Sequence, residues 1–271
     1  MLSGAIISTL LLIATAPAPE VSSAHEEAYA RLAELGFGLN PNFALADVAG
    51  YEPPQLPGAR YLTQEEFMSE LGTGNTRGGD VYIVAAPGSG EADAPPVNTA
   101  RDLVWTMGDQ WLPADFYARD PTSWQALDRV YFSDDFALID FERITNTGDY
   151  ASLLERMVTL GGGVVTVANV RDHLPPLLLW ELGLGSASID FDFNGAPVHW
   201  SLEVDDDWVD PRFFIWFDAL IEQTGSDESL HSFNDGQYDL FFIAAPSVAA
   251  ELARLVDQPL RDWRSYRGEF Q

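Results

Sequence analysis

Between residues 186 and 204 apolar and polar residues alternate one for one on either side of an Asn-Gly pair, and this pattern limits the folds open to the chain more than any other feature. Ile189, Phe191 and Phe193 alternate with Asp190 and Asp192; after the turn Val198, Trp200, Leu202 and Val204 alternate with His199, Ser201 and Glu203. A period of two is that of a strand with one buried face, and two such runs joined by a short turn must lie antiparallel. The pattern recurs in RVYF with FALIDFERI around a turn at 133–135, and in LHSF with YDLFFIAA around Asn234, Asp235 and Gly236. Between the hairpins stand runs of helical period: DYASLLERMVTL closed by the glycines at 161–163, PRFFIWFDALIEQTG, and SVAAELARLV. A strand VVTVANV and a proline-broken segment LPPLLLWELGLG lie between the first two. The expected class is α+β: a mainly antiparallel sheet built from hairpin-helix units with helices on one face.

Ahead of this pattern the chain reads differently. An apolar run at 5–16, followed by small residues and proline, resembles an export signal over residues 1–24, with cleavage after Ala18 or Ala24. The run is too short to span a bilayer, which takes about 20 residues, so no stable span is expected once it is removed. Residues 25–87 form a smaller α/β region: a helix at 25–35 opened by Ser23 with Glu26, a second capping pattern in TQEEFMSEL, and a strand DVYIVAAP at 80–87. Residues 88–99, rich in Gly, Pro and Ala, read as a linker to the main domain at 100–271. DVYIVAAP is echoed by DLFFIAAP at 239–246, a similarity within the common vocabulary of buried strands.

Charge bounds the partners. The 42 acidic residues against 14 basic ones leave a formal charge of −28, every basic residue being Arg. Such a field disfavours nucleic acid and anionic membranes and favours basic proteins, cations or plain solvation. With no Cys there is no disulfide, thiolate nucleophile or thiolate metal site.

The search for chemistry finds acidic candidates and no catalytic signature. DFDFNG at 190–195 matches the front of an EF-hand loop, but its twelfth position is Ser201 and Pro197 falls inside it, so the hairpin explains more. On the polar face His199 falls opposite Asp190 across a two-residue loop or Asp192 across a four-residue loop; Pro197, which cannot donate to a ladder, favours the longer loop and Asp192. These three residues are the catalytic candidates, as an acid-base dyad. In EVDDDWVDP, Asp210 suits a helix cap with Pro211 at the first helical position. Asp205, Asp206 and Asp207 are left over and are assigned to binding, with Asp134, Asp135 and Asp235. No cofactor and no metal site is assigned, Asp205 and Asp207 being the nearest approach to a cation pair. GxSxG, HExxH and P-loop patterns are absent, and His173 and His231 stand alone.

HWSLEVDDDWVDP, NDGQYDLFFIAAP and the closing helix with Trp263 resemble a class of poorly characterised bacterial α+β proteins, some of which are immunity proteins beside secreted toxins, over residues 130–265. The resemblance implies a non-enzymatic, protein-binding role. The expectation is therefore a periplasmic or secreted acidic module for a basic protein partner. The alternative is a hydrolase or carbohydrate-active protein using the His-Asp pair or a cation at the Asp-rich loop.

Overall fold

The structure, a computed structural model, describes residues 21–51, 60–62, 82–84, 98–110, 130–175, 185–235 and 238–268. In chain order the elements are α1 (Ser23–Glu34), α2 (Leu45–Ala49), β1 (Arg60–Leu62), β2 (Tyr82–Val84), α3 (Thr99–Gly108), β3 (Ala137–Asp140), α4 (Asp149–Leu160), β4 (Val167–His173), β5 (Ser186–Phe193) and β6 (Ala196–Glu203). There follow α5 (Arg212–Gln223), β7 (Ser229–Asn234), β8 (Tyr238–Ala244), α6 (Pro246–Val256), β9 (Arg261–Asp262) and a closing 3-10 turn, Trp263–Gly268. The class is α+β, as the hairpin spacing implies. A four-stranded sheet runs β3-β8-β7-β9 and a three-stranded sheet β4-β5-β6, both antiparallel throughout, while β1 and β2 pair in parallel.

The four-stranded sheet is covered on both faces, one more than the alternating pattern led us to expect. β8 is the reason: Leu240, Phe242 and Ala244 enter one core cluster while Phe241, between them, enters the other. On the first face lie α1, α3 and α6 through Leu32, Leu103, Met107 and Leu252. On the second lie α4 and α5, together with Ile189, Phe191 and Leu202 of the three-stranded sheet. Phe213, Phe214 and Phe217 of α5 are fully buried, and each such side chain contributes roughly 1.5–3 kcal/mol. Phe214 stacks on Phe241 at 4.3 Å between ring centres and packs on Trp263 at 5.0 Å, tying α5 to sheet and C-terminus. α1 and α2 share the first-face cluster with α3 and α6, so the segment before residue 52 packs on the same sheet as the rest.

The β5–β6 hairpin closes through a two-residue loop, with Phe193 opposite Ala196. Asn194 (φ 52°) and Gly195 (φ 77°) both take the left-handed conformation that a type I′ turn requires. The longer loop favoured by Pro197 is thus not formed. Pro197 faces Asp192 at a non-hydrogen-bonded position of the ladder, and β6 is an edge strand, so the missing N–H points away from β5 and costs no bond.

The expected hairpin of RVYF with FALIDFERI is also not formed. β3 pairs with β8, some hundred residues further on, and Tyr131 bridges Gln110 instead. The segment before β3 is a loop lashed to the N-terminal region: Asn40 N donates to Phe132 O at 2.8 Å and Ser133 Oγ to Gly38 O at 2.6 Å. Phe132 and Phe136 are fully buried there and anchor the loop.

Helix ends follow local chemistry. Ser22, not Ser23, caps α1, its hydroxyl accepting from His25 N. The cap of α4 is Gly148, which has no side chain to offer; Asp172 of β4 supplies the carboxylate, accepting from Gly148 N at 2.7 Å, Tyr150 N at 3.0 Å and Ala151 N at 3.2 Å. β4 begins three residues later than VVTVANV implied, and a bulge at Asn169 (φ 55°) breaks its register with β5. Of DVYIVAAP the described residues are Tyr82–Val84, which lie in a parallel pair, whereas its echo forms a central antiparallel strand. Residues 1–20, TQEEFMSEL, 88–97 and 176–184 lie outside the described residues. Among the described residues no helix is long and apolar enough to cross a membrane.

Candidate functional site

The loop between β6 and α5 is built around Asp210, a residue only 7% exposed. Pro211 already has helical dihedrals, and the Asp210 carboxylate accepts from Arg212 N at 2.9 Å, as the capping pattern predicts. The same carboxylate accepts from Glu203 N at 2.7 Å and grips the Arg212 guanidinium through Nε and Nη2. Its own N–H donates to the Tyr150 hydroxyl at 3.0 Å. Burial in this network pushes the Tyr150 hydroxyl well above the ordinary phenol range, and hydrogen bonding to Asp210 opposes the rise. One aspartate thus joins strand end, helix start and α4.

What this clasp presents is a tight turn. Trp208 N donates to Asp205 O at 3.1 Å, with Asp206 left-handed at φ 50°, a conformation that aspartate tolerates. Val209 N donates to Phe141 O at 2.8 Å and Ile144 N to Asp207 O at 2.9 Å, stitching the turn to the chain after β3. Held in this way, Trp208 stands 46% exposed, the one large apolar side chain so placed among the described residues. The carboxylates of Asp205, Asp206 and Asp207 make no hydrogen bond or ion pair with the described residues.

Beside the turn is a pocket of about 370 Å³ with apolar walls from Phe141, Trp208, Val209 and Pro211. Glu203 and Asp205 line it from the β6 side, Asn234 and the Asp239–Arg261 pair from the four-stranded sheet. Asp239 is fully buried, accepting from Ser232 Oγ at 2.7 Å, from Arg261 Nη1 at 2.8 Å and from Asn234 Nδ2. Trp263 Nε1 completes the chain by donating to Ser232 Oγ at 3.0 Å. The surrounding field is negative: the Tyr238 hydroxyl is pushed up by burial and further by Asp140, Asp235, Asp109 and Glu142.

The residues singled out from sequence fall in three places. Asp205, Asp206 and Asp207 form the turn just described, and Asp235 sits in the β7–β8 loop beside Asn234, accepting from Tyr238 N at 2.8 Å. Asp134 and Asp135 line a different pocket with Tyr29 and Gly38. Asp135 accepts from Gly38 N at 2.6 Å, and burial raises its carboxyl above the usual range. Asp134 lies 3.9 Å from the buried Arg156, so these two shape their own loop. His199 Nδ1 meets Asp190 at 2.8 Å on the outer face of the three-stranded sheet, both side chains 60% exposed. Asp192, the expected partner, instead accepts from Asn169 Nδ2 at 2.5 Å, because the two-residue loop sets Asp190 and not Asp192 across from His199. No described hydrogen bond carries the far nitrogen of His199 to a hydroxyl, and the pair has the form of an exposed ion pair.

Two features escaped the sequence reading. Trp208 was visible in principle: it lies among aspartates, whereas Trp105, Trp200 and Trp216 sit in apolar runs. Tyr150 and Arg212 gave no signal, since a core tyrosine and a helix-start arginine acquire their roles only when Asp210 meets them. His231 is buried in β7, 3.0 Å from Ser229 Oγ, and desolvation lowers its pKa, opposed by Asp262. With Ser229 2% exposed, that pair is out of reach of any substrate. Among the described residues no group of three His, Asp or Glu is placed to hold a metal ion. Compared with protein-family models, curated proteins and solved structures, the chain matches none.

Proposed function

We propose that the chain is an exported, non-enzymatic bacterial module that binds a basic protein partner, in the manner of an immunity protein, through the acidic face around Trp208. The observation that carries this reading is Trp208 itself, 46% exposed on a turn fixed by buried hydrogen bonds and bordered by carboxylates that have no partner among the described residues. Tryptophan, with tyrosine and arginine, is enriched among the residues that carry most of the binding energy at the centre of protein interfaces. A charge of −28 adds long-range attraction for a basic surface, fast at low salt and weakened as ionic strength rises.

The test is affinity capture from an envelope extract at low salt with three baits: the wild type, Trp208→Ala, and a chain carrying Asp205→Asn, Asp206→Asn and Asp207→Asn. The reading expects one stoichiometric basic companion on the wild type, released by salt and lost from both variants. A companion held equally by all three baits, or none on any, overturns it. The hydrolase alternative rests on the exposed His199–Asp190 contact, and no further observation favours it.

A further inference from the structure

Resting on that reading, we infer that the pocket beside Trp208 receives an arginine side chain of the partner, its guanidinium stacked on the indole and paired with the Asp205 carboxylate. The pocket's form suits such a side chain: Phe141, Val209 and Pro211 offer an apolar wall for the three methylenes, and Asp205 and Glu203 line its acidic side. Asp205 is the lining carboxylate that no described group neutralises, since Asp210 and, at 3.4 Å, Glu203 are paired with Arg212 and Asp239 with Arg261. An anion entering here would meet four carboxylates against one guanidinium already engaged. An apolar side chain would cover Asp205 without a counter-charge, which is unfavourable.

Among the described residues the same arrangement occurs three times. Arg212 lies 5.6 Å over the Trp216 ring while gripping Asp210. Arg261 lies 5.6 Å over Trp263 while paired with Asp239. Arg156 lies 3.6 Å over Tyr131 with Asp134 at 3.9 Å. Two of these three sets contribute residues to the walls of the Trp208 pocket. Trp208 with Asp205 is a fourth aromatic–carboxylate set, and among the described residues no guanidinium stacks on it. A planar guanidinium can stack and pair at once, whereas a lysine ammonium is a compact, strongly hydrated charge, so arginine is the better occupant.

The experiment titrates the full chain with acetyl-Gly-Arg-Gly-amide at low salt while following its eight tryptophan indole N–H signals by NMR, that of Trp208 being assigned by its loss in Trp208→Phe. The expected result is a saturable shift of the Trp208 signal, absent with the uncharged citrulline peptide, and about 3- to 10-fold weaker with the lysine peptide or with Asp205→Asn. Equal binding of the citrulline peptide, no movement of Trp208, or a parallel drift of all the indoles from diffuse attraction overturns the assignment. The two proposals fail separately. If extract capture depends on Trp208 but the arginine peptide leaves it unmoved, the arginine pocket is wrong and partner binding stands. If the peptide moves Trp208 while capture is indifferent to Trp208→Ala, the pocket stands and the partner-binding reading falls.

Discussion

Replacing Asp210 by Ala should measurably destabilise the fold. The side chain is 4% exposed and serves three partners: the α5 backbone at Arg212 N, the Arg212 guanidinium, and Glu203 N at the end of β6. Loss of the cap is worth about 1 kcal/mol. Loss of a charge-assisted bond contributes roughly 1.5–3 kcal/mol, and the lower end applies because the Arg212 side chain is 22% exposed and can turn to water. Glu203 N gives up its acceptor but lies on an edge strand, where water can replace it. The total is about 2.5 kcal/mol. For a chain of this size roughly 2–4 °C is lost per kcal/mol, so Tm should fall by roughly 5–10 °C. The assay is thermal unfolding of wild type, Asp210→Ala and Asp207→Asn by circular dichroism. Asp207→Asn, which removes a carboxylate without a described partner, should stay within about 2 °C of wild type. If Asp210→Ala also stays within that range, Asp210 does not clasp the loop and the account of why Trp208 is presented fails.

Asp172→Ala should lower stability by about 1–2 kcal/mol in urea unfolding, because α4 loses the only carboxylate at its first amides contributed from β4; a change under about 0.3 kcal/mol would count against that capping. Gly108→Ala should destabilise by about 1–3 kcal/mol or prevent folding, since a Cβ there would meet Leu240 Cδ1 at 2.2 Å and Leu138 N at 3.2 Å; a variant with wild-type Tm would mean that α3 is not pressed against the sheet. Burial pulls the His231 pKa down against the opposing charge of Asp262, so its folded pKa lies below its unfolded one. Below about pH 6.5 the unfolded chain therefore binds the extra proton and stability falls with pH, until the folded pKa is passed. The difference in unfolding free energy between wild type and His231→Gln should thus shrink as pH falls from about 7.5 to 5.5, and a pH-independent difference would show that the ring is not kept neutral.

What could be read from sequence is what neighbours in sequence decide. The β5–β6 hairpin follows from alternation around Asn194-Gly195, and α4 and α5 end close to where their apolar periods end. The loop length is not legible, because the cost of Pro197 as a missing donor depends on whether β6 is an edge strand, which the whole sheet decides. The partner of β3 is β8, about a hundred residues away, and not its neighbour RVYF; nothing in FALID distinguishes a near partner from a far one. The second covered face was equally hidden, since LFFIA fits a two-sided strand but does not say which helices lie on each side. At the site the aspartates were legible as residues without a core role, and Asp210 as a cap. The separation of Asp134 and Asp135 from Asp205, and the exposure of Trp208, required the tertiary contacts of the loop at 131–136 and of the turn at 205–208.

The most direct test of the central claim places a photo-crosslinker at the proposed contact. The full chain carrying p-benzoylphenylalanine in place of Glu142, exposed and bridged to Trp208 with the indole and Asp205–Asp207 left intact, would be irradiated in envelope extract at low salt, beside a control with the same group at Ser201 on the outer face of the three-stranded sheet. The account predicts a single adduct with a basic protein from position 142, lost at high salt and missing from position 201. The same adducts from both positions, or none from 142, would contradict it.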